Sequence, residues 1–271
     1  MGLFGKKEDP EDLMYQAMTF LEKNQTKAAV SLFKKVTKID PDNVNAWYNQ
    51  GLALNQMKKY ADAISCFDVI IGKNPNDAPA LNNRGIAMAE LGDPEGAMEY
   101  YEKAIKADSS YAPAYYNKGV LLDKKLEHEE ALRVLDDAIK MDPKKPNPRF
   151  YKGIVLGKTG KHEMALNCFE NVYKTNPHHL DALFHKGIEL AELDRHDKAI
   201  DVFDKILEKH KGNVNVVYAK ARSKAAINEV NEAFDLLNLA IKQSKTIKLW
   251  ARKEKVFEKF FDDPEFQRMV K

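Results

Sequence analysis

The sequence predicts an all-α fold, a solenoid of stacked helix pairs. Three observations predict it: a small residue every 34 positions, an alanine twelve positions after each one, and a proline closing most of the resulting units. The small column reads Gly51, Gly85, Gly119, Gly153 and Gly187, extended by Ala17 and Ala221. The alanine column is complete: Ala29, Ala63, Ala97, Ala131, Ala165, Ala199 and Ala233. Four residues further stand Phe33, Phe67, Tyr101, Leu135, Phe169, Phe203 and Leu237.

Each unit divides into two helices. Three residues after the small column come Phe20, Leu54, Met88, Leu122, Leu156 and Leu190, with Lys224 breaking the series. Positions −4, 0 and +3 from the small residue share one helical face, as a 3.6-residue period requires. Leu91-Gly92-Asp93-Pro94 shows how the helices join: Gly92 suits the left-handed end of one, Asp93 caps the next and Pro94 opens it. Pro41, Pro75, Pro143 and Pro177 end their units, whereas Ser109, Lys211 and Lys245 predict looser turns. Seven units follow, at 10–43, 44–77, 78–111, 112–145, 146–179, 180–213 and 214–247. One pair cannot cover its own apolar faces, so the units must stack.

The ends are read separately. Residues 1–9 predict a flexible tail and 248–271 predict capping helices. In the latter, Leu249, Trp250, Val256, Phe257, Phe260 and Phe261 fall on an arc about 140° wide if 248–261 is one helix. Asp263 and Pro264 then start a short helix carrying Phe266, Met269 and Val270. The proline-dense stretch from Pro143 to Pro148 predicts a local change in stacking, with Arg149 where other units carry Trp47, Leu81, Tyr115 or Leu183.

The run from Trp47 to Leu54, followed by Ala63, Phe67 and Pro75, resembles the tetratricopeptide repeat, whose pattern is Trp-x2-Leu-Gly-x2-Tyr, then Ala-x3-Phe, then Pro. The resemblance covers 238 of 271 residues. It implies a right-handed superhelix whose first helices line a concave groove, a protein or extended peptide as partner, and no cofactor.

Composition sets further bounds. The chain is 44% hydrophobic and 31% charged, with a formal net charge of +2, which points to neither nucleic acid nor an acidic partner. Residues 1–143 are net −5 and 144–271 net +7. No apolar run approaches the roughly 20 residues of a membrane span, and no secretory signal opens the chain. Met1-Gly2 resembles an acylation signal, but Lys6 stands where Ser or Thr is required. A cytoplasmic location is the default expectation. Cys66 and Cys168 lie three repeats apart; helices pack about 8–10 Å apart and a disulfide needs Cα atoms within about 7 Å, so both are expected as buried packing residues.

Catalytic motifs are absent from the sequence. Gly153 to Thr159 approaches a phosphate loop but has three residues between its glycines where four are needed, and it falls inside a helix. His178, His179 and His185, with Asp181, are expected as surface histidines with a local salt bridge and not as a metal site. No nucleophile elbow appears. Repeats and cap consume 10–271, leaving no room for a catalytic domain, so a non-enzyme is expected.

Candidate binding residues lie on the first helices. Two before the small column stand Tyr15, Asn49, Asn83, Asn117, Tyr151, His185 and Ala219, facing away from the core. Asn49, Asn83 and Asn117 resemble the asparagine ladder with which some tetratricopeptide proteins hold a peptide backbone. Beside them run Tyr48, Asn82, Tyr116, Phe150, Phe184 and Tyr218, either a groove flank or packing between neighbouring first helices. The candidate set is therefore Tyr48, Asn49, Asn83, Tyr116, Asn117, Tyr151, His185 and Tyr218. Gln50, Arg84, Lys118, Lys152, Lys186 and Lys220 border the core, so their stems are expected on apolar neighbours with their charges in water. The lysines of a carboxylate clamp are missing from the groove face. The expected activity is a monomeric, non-catalytic scaffold or adaptor; the alternatives are an RNA-binding helical repeat, disfavoured by the acidic N-terminal half, and a self-assembly element.

Overall fold

The computed structural model describes residues 9–271, and among these there are helices and turns but no strand. The expected tail lies outside the described residues except for Asp9, whose side chain caps the first helix by accepting the Glu11 N–H. Two compact units divide the chain after Pro143, inside the proline-dense stretch.

The first unit, Met1–Pro143, holds four helix pairs: α1 Pro10–Glu22 with α2 Thr26–Ile39, α3 Val44–Gln56 with α4 Tyr60–Lys73, α5 Ala78–Glu90 with α6 Pro94–Ala107, and α7 Ala112–Lys124 with α8 His128–Met141. The second, Lys144–Lys271, holds α9 Pro146–Lys158 with α10 His162–Thr175, α11 Leu180–Glu192 with α12 His196–Lys209, and α13 Val214–Ala226 with α14 Val230–Gln243. It ends in α15 Thr246–Ala251, a 3₁₀ helix Lys255–Phe260 and α16 Pro264–Val270. Each unit is thus a stretch of α-solenoid in which successive pairs pack on one another.

The small column has a specific neighbour. A Cβ added to Gly51 would lie 2.7 Å from the Phe67 ring, and one on Gly187 would fall closer still to Phe203. Gly85, Gly119 and Gly153 meet Tyr101, Leu135 and Phe169 in the same way. The space is therefore taken by the large residue sixteen positions on, at the second helix of the same pair. Those side chains are buried and cannot move aside cheaply.

Every turn between the helices of a pair contains one left-handed residue: Asn24, Lys58, Gly92, Leu126, Gly160, Asp194 and Asn228, with φ from 56° to 86°. In each, the next N–H bonds back to a carbonyl of the preceding helix, as Asp93 does to Met88 at 3.0 Å and Glu127 to Leu122 at 2.9 Å. Only two of the seven are glycines, so glycine alone marks this turn incompletely.

The basic column forms a ladder of ion pairs. Arg84 bonds Asp68 at 2.6 Å, Lys118 bonds Glu102 at 2.8 Å and Lys186 bonds Glu170 at 2.9 Å, and Lys220 pairs with Asp204. Each links a first helix to the second helix of the preceding pair. The side chains do border the core as expected, but their heads are held by carboxylates and not only by water.

The terminal segment departs from the single-helix expectation. Glu254 is extended, and α15 stops at Ala251. The break lets Arg252 donate to the carbonyls of Val270 and Lys271, closing the end of α16. Phe257 and Phe266 are buried in one cluster with Phe234 and Leu237 of α14 and Ile247 of α15, whereas Leu249, Trp250 and Phe261 are exposed. Asp263 caps α16 through the Glu265 and Phe266 N–H groups, as its sequence predicts. Both cysteines are free: Cys66 is buried, which pushes its thiol up to about 11, and Cys168 is only half-buried.

Candidate functional site

Within the units, neighbouring first helices touch, α3 with α5, α5 with α7 and α11 with α13, whereas adjacent second helices make no comparable contact. The first helices form the inner layer. On their inner face, the residue two before the small column lies about 60° around the helix from the residue one after it. In the first unit this juxtaposes Tyr15 with Met18, Asn49 with Leu52, Asn83 with Ile86 and Asn117 with Val120. Tyr15 is 76% exposed, Met18 41% and Leu52 36%, while Ile86 and Val120 are half-buried.

The asparagines are not equivalent. Asn49 is half-buried, and its amide donates to the Asn45 carbonyl of its own helix at 2.8 Å. Asn83 is only 9% exposed, although its column was expected to face away from the core. The packing of α3 on α5 explains it: the Asn83 amide donates to the Tyr48 hydroxyl at 3.0 Å and to the Pro79 carbonyl at 2.8 Å. Asn117 repeats the link, donating to Asn82 Oδ1 at 2.8 Å. The amide nitrogens of Asn83 and Asn117 thus tie neighbouring first helices together. The Oδ1 atoms of Asn49, Asn83 and Asn117 accept no hydrogen bond among the described residues, so the column offers acceptors.

The flanking rings pack on their own pairs. Tyr48 meets Phe67 edge-on at 6.1 Å, Phe150 meets Phe169 at 5.5 Å and Phe184 meets Phe203 at 6.1 Å. Burial raises the phenols of Tyr48 and Tyr116; the Asn83 bond partly offsets this for Tyr48.

In the second unit Tyr151 of α9 and His185 of α11 are half-buried, and Tyr218 of α13 is buried. His185 stacks on Phe169 at 5.2 Å and meets Phe150 and Phe184 edge-on, both at 5.6 Å. Burial lowers its imidazole, against the pull of Asp181, so the expected surface histidine is an aromatic packing residue. Tyr218 is buried between Trp250 and Phe257, with its hydroxyl 3.4 Å from Glu254. Among the described residues no group of three or more His, Cys, Asp or Glu is placed to hold a metal ion. No described helix is long and apolar enough to cross a membrane.

The apolar row on this face is absent from the sequence-derived set. Its signal was available: Met18, Leu52, Ile86, Val120, Ile154 and Ile188 recur at the repeat spacing on a helix face that the core columns do not use. Arg222 ends the row and pairs with Glu254 at 3.1 Å and Glu192 at 3.4 Å.

Tetratricopeptide-repeat profiles match residues 20–83 and 56–113, and a profile described as anaphase-promoting complex, cyclosome, subunit 3 matches 95–206. No curated protein sequence matches the chain. Among solved structures, YrrB, described as a tetratricopeptide-repeat protein with an unusual peptide-binding site, is 26% identical with a TM-score of 0.60, covering 69% of this chain and 98% of its own. The type IV pilus biogenesis factor PilW is 20% identical with a TM-score of 0.66, over 76% and 96%. A thermophilic tetratricopeptide-repeat protein from Thermus thermophilus, TTC0263, is 17% identical with a TM-score of 0.59, over 68% and 100%. These last two share the fold. The profiles together run from residue 20 to 206, over successive helix pairs, and the chain belongs to the tetratricopeptide-repeat family.

Proposed function

We propose that the protein is a non-catalytic, monomeric cytoplasmic scaffold that binds an extended peptide or protein segment along the inner face of its first helices. Tetratricopeptide-repeat proteins generally mediate protein–protein interactions. The observation that carries the reading is the double row in the first unit, where Leu52, Ile86 and Val120 stand beside the open acceptors of Asn49, Asn83 and Asn117. Apolar side chains supply contact area, and amide oxygens spaced by one repeat receive backbone N–H groups of a ligand that has no partner for them. The peptide-binding site described for YrrB supports the class of ligand. Two free cysteines suit a reducing compartment.

The test is selection of peptides from a displayed random library on the full-length protein, followed by exchange footprinting of the complex. Protection confined to α3, α5 and α7 supports the reading. Protection on the second helices, or a salt-resistant complex with single-stranded RNA and no peptide, contradicts it.

A further inference from the structure

Buried polar side chains nearly always find a hydrogen-bond partner, because an unpaired one has lost its hydration for nothing in return. Among the described residues four buried side-chain atoms have none: Asn55 Oδ1, His196 Nδ1, Arg222 Nε and Ser223 Oγ. The last three residues line a single cavity of about 760 Å³ in the second unit. His196 opens α12, Arg222 and Ser223 lie on α13, and the terminal segment supplies a further wall from Glu254 to Lys259. Ser223 is wholly buried. A cavity of this size suits a small ligand or one side chain of a larger one.

The preceding repeat shows how the cavity arises. There the equivalent ring nitrogen, His162 Nδ1, is held at 2.8 Å by Glu189 Oε2. Gly157 clears the way for that carboxylate, since a Cβ there would lie 2.5 Å from Glu189 Oε1. The same three positions one repeat on, 34 residues later, carry His196, Ser223 and Ala191, and all three line the cavity. A serine is too short to span the distance that glutamate spans, so neither the imidazole nor the hydroxyl is bonded to the other. The Ala191 methyl narrows the path that Glu189 takes, which directs an incoming group to the side of the terminal segment.

The unpartnered atoms specify the chemistry. Arg222 Nε–H is a donor, and the far end of the guanidinium is already held by Glu254 at 3.1 Å and Glu192 at 3.4 Å. Asp194 lies 3.6 Å from His196 Nε2 and favours the ring proton on that nitrogen, which makes Nδ1 an acceptor. The Ser223 hydroxyl serves as either. The set therefore calls for one group that both accepts and donates. Four carboxylates line the cavity against three lysine and arginine side chains, which favours a neutral group over an anion.

We propose that this cavity binds a primary carboxamide, the neutral group of glutamine and asparagine side chains. Its oxygen accepts from Arg222 Nε and Ser223 Oγ, and its nitrogen donates to His196 Nδ1. The site does not depend on the acceptor column of the first unit.

NMR of the isotope-labelled full-length protein tests this by following the Ser223 amide and the His196 ring nitrogens. The probes are propionamide and propionate, which match in size and differ in charge. Propionamide should shift both signals saturably below about 0.1 M, and propionate should bind at least about tenfold more weakly. Ser223→Ala should weaken propionamide about three- to tenfold, the loss of one hydrogen bond, without lowering the melting temperature, because the hydroxyl it removes has no partner in the protein. Free glutamine and a short capped peptide with a central glutamine separate the sources: tighter binding of the peptide assigns the amide to a protein segment, and tighter binding of the amino acid assigns it to a small molecule. Propionate that binds as tightly as propionamide overturns the proposal, as does full affinity in Ser223→Ala. A wild-type protein with no saturable shift at Ser223 or His196 leaves the cavity to solvent and overturns it without any variant.

Discussion

At the scale of single residues, the turn inside a helix pair demands a left-handed backbone, which Lys58 and Leu126 do not favour. Leu126 holds φ at 66° with its side chain 76% exposed, so it pays for a left-handed backbone and recovers little burial. Leu126→Gly should therefore stabilise the protein by about 0.5–1 kcal/mol, the left-handed penalty less glycine's larger chain entropy. A urea midpoint that does not rise contradicts this. The opposite substitution, Gly51→Ala, drives a methyl into the buried Phe67 ring and should cost about 1–3 kcal/mol, read from the same titration. An unchanged midpoint would mean that the ring has room to move. These two sites also mark what the sequence reveals. The glycine column was legible because a missing side chain recurs; the left-handed column was legible only in part, since Asn24, Asp194 and Asn228 tolerate that backbone much as glycine does, whereas Lys58 and Leu126 do not.

At the scale of helices, regular elements were legible and irregular ones were not. The core columns place every helix pair because burial depends on period, and period survives substitution. The ion-pair ladder was half-visible: the lysines recur, but their partners sit sixteen residues earlier and alternate between Asp and Glu. In the candidate site, position was legible and environment was not. Asn83 and Asn117 lie on first helices, but Tyr48 and Asn82 of the neighbouring helices reach them, a contact that depends on how closely α3, α5 and α7 approach. The terminal segment is not a single helix: it breaks after Ala251, and Arg252 donates to the Val270 and Lys271 carbonyls at the end of α16, a long-range contact that no local pattern marks. Phe257 and Phe266 still cover α14, so deleting 248–271 should expose Phe234 and Leu237 and cause association or loss of C-terminal helicity. A truncated chain that remains monomeric in light scattering, with an unchanged melting curve, would show that the segment caps nothing.

At the scale of the whole molecule, the proposed function rests on one division of labour in the asparagine column: the amide nitrogens of Asn83 and Asn117 hold helices together, and the amide oxygens are proposed to face the ligand. Asn49 separates the two roles, since its amide bonds only its own helix, whereas Asn83 bridges α3 and α5. The most direct measurement titrates a library-selected peptide against Asn49→Ala and Asn83→Ala and records thermal melts of both. The account predicts that Asn49→Ala weakens binding by about three- to tenfold, the loss of one hydrogen bond, with no fall in melting temperature. Asn83→Ala should weaken binding comparably and also lower the melting temperature by about 2–4 °C. Full affinity in both variants, with only Asn83→Ala melting early, would assign the column to structure alone and contradict the account.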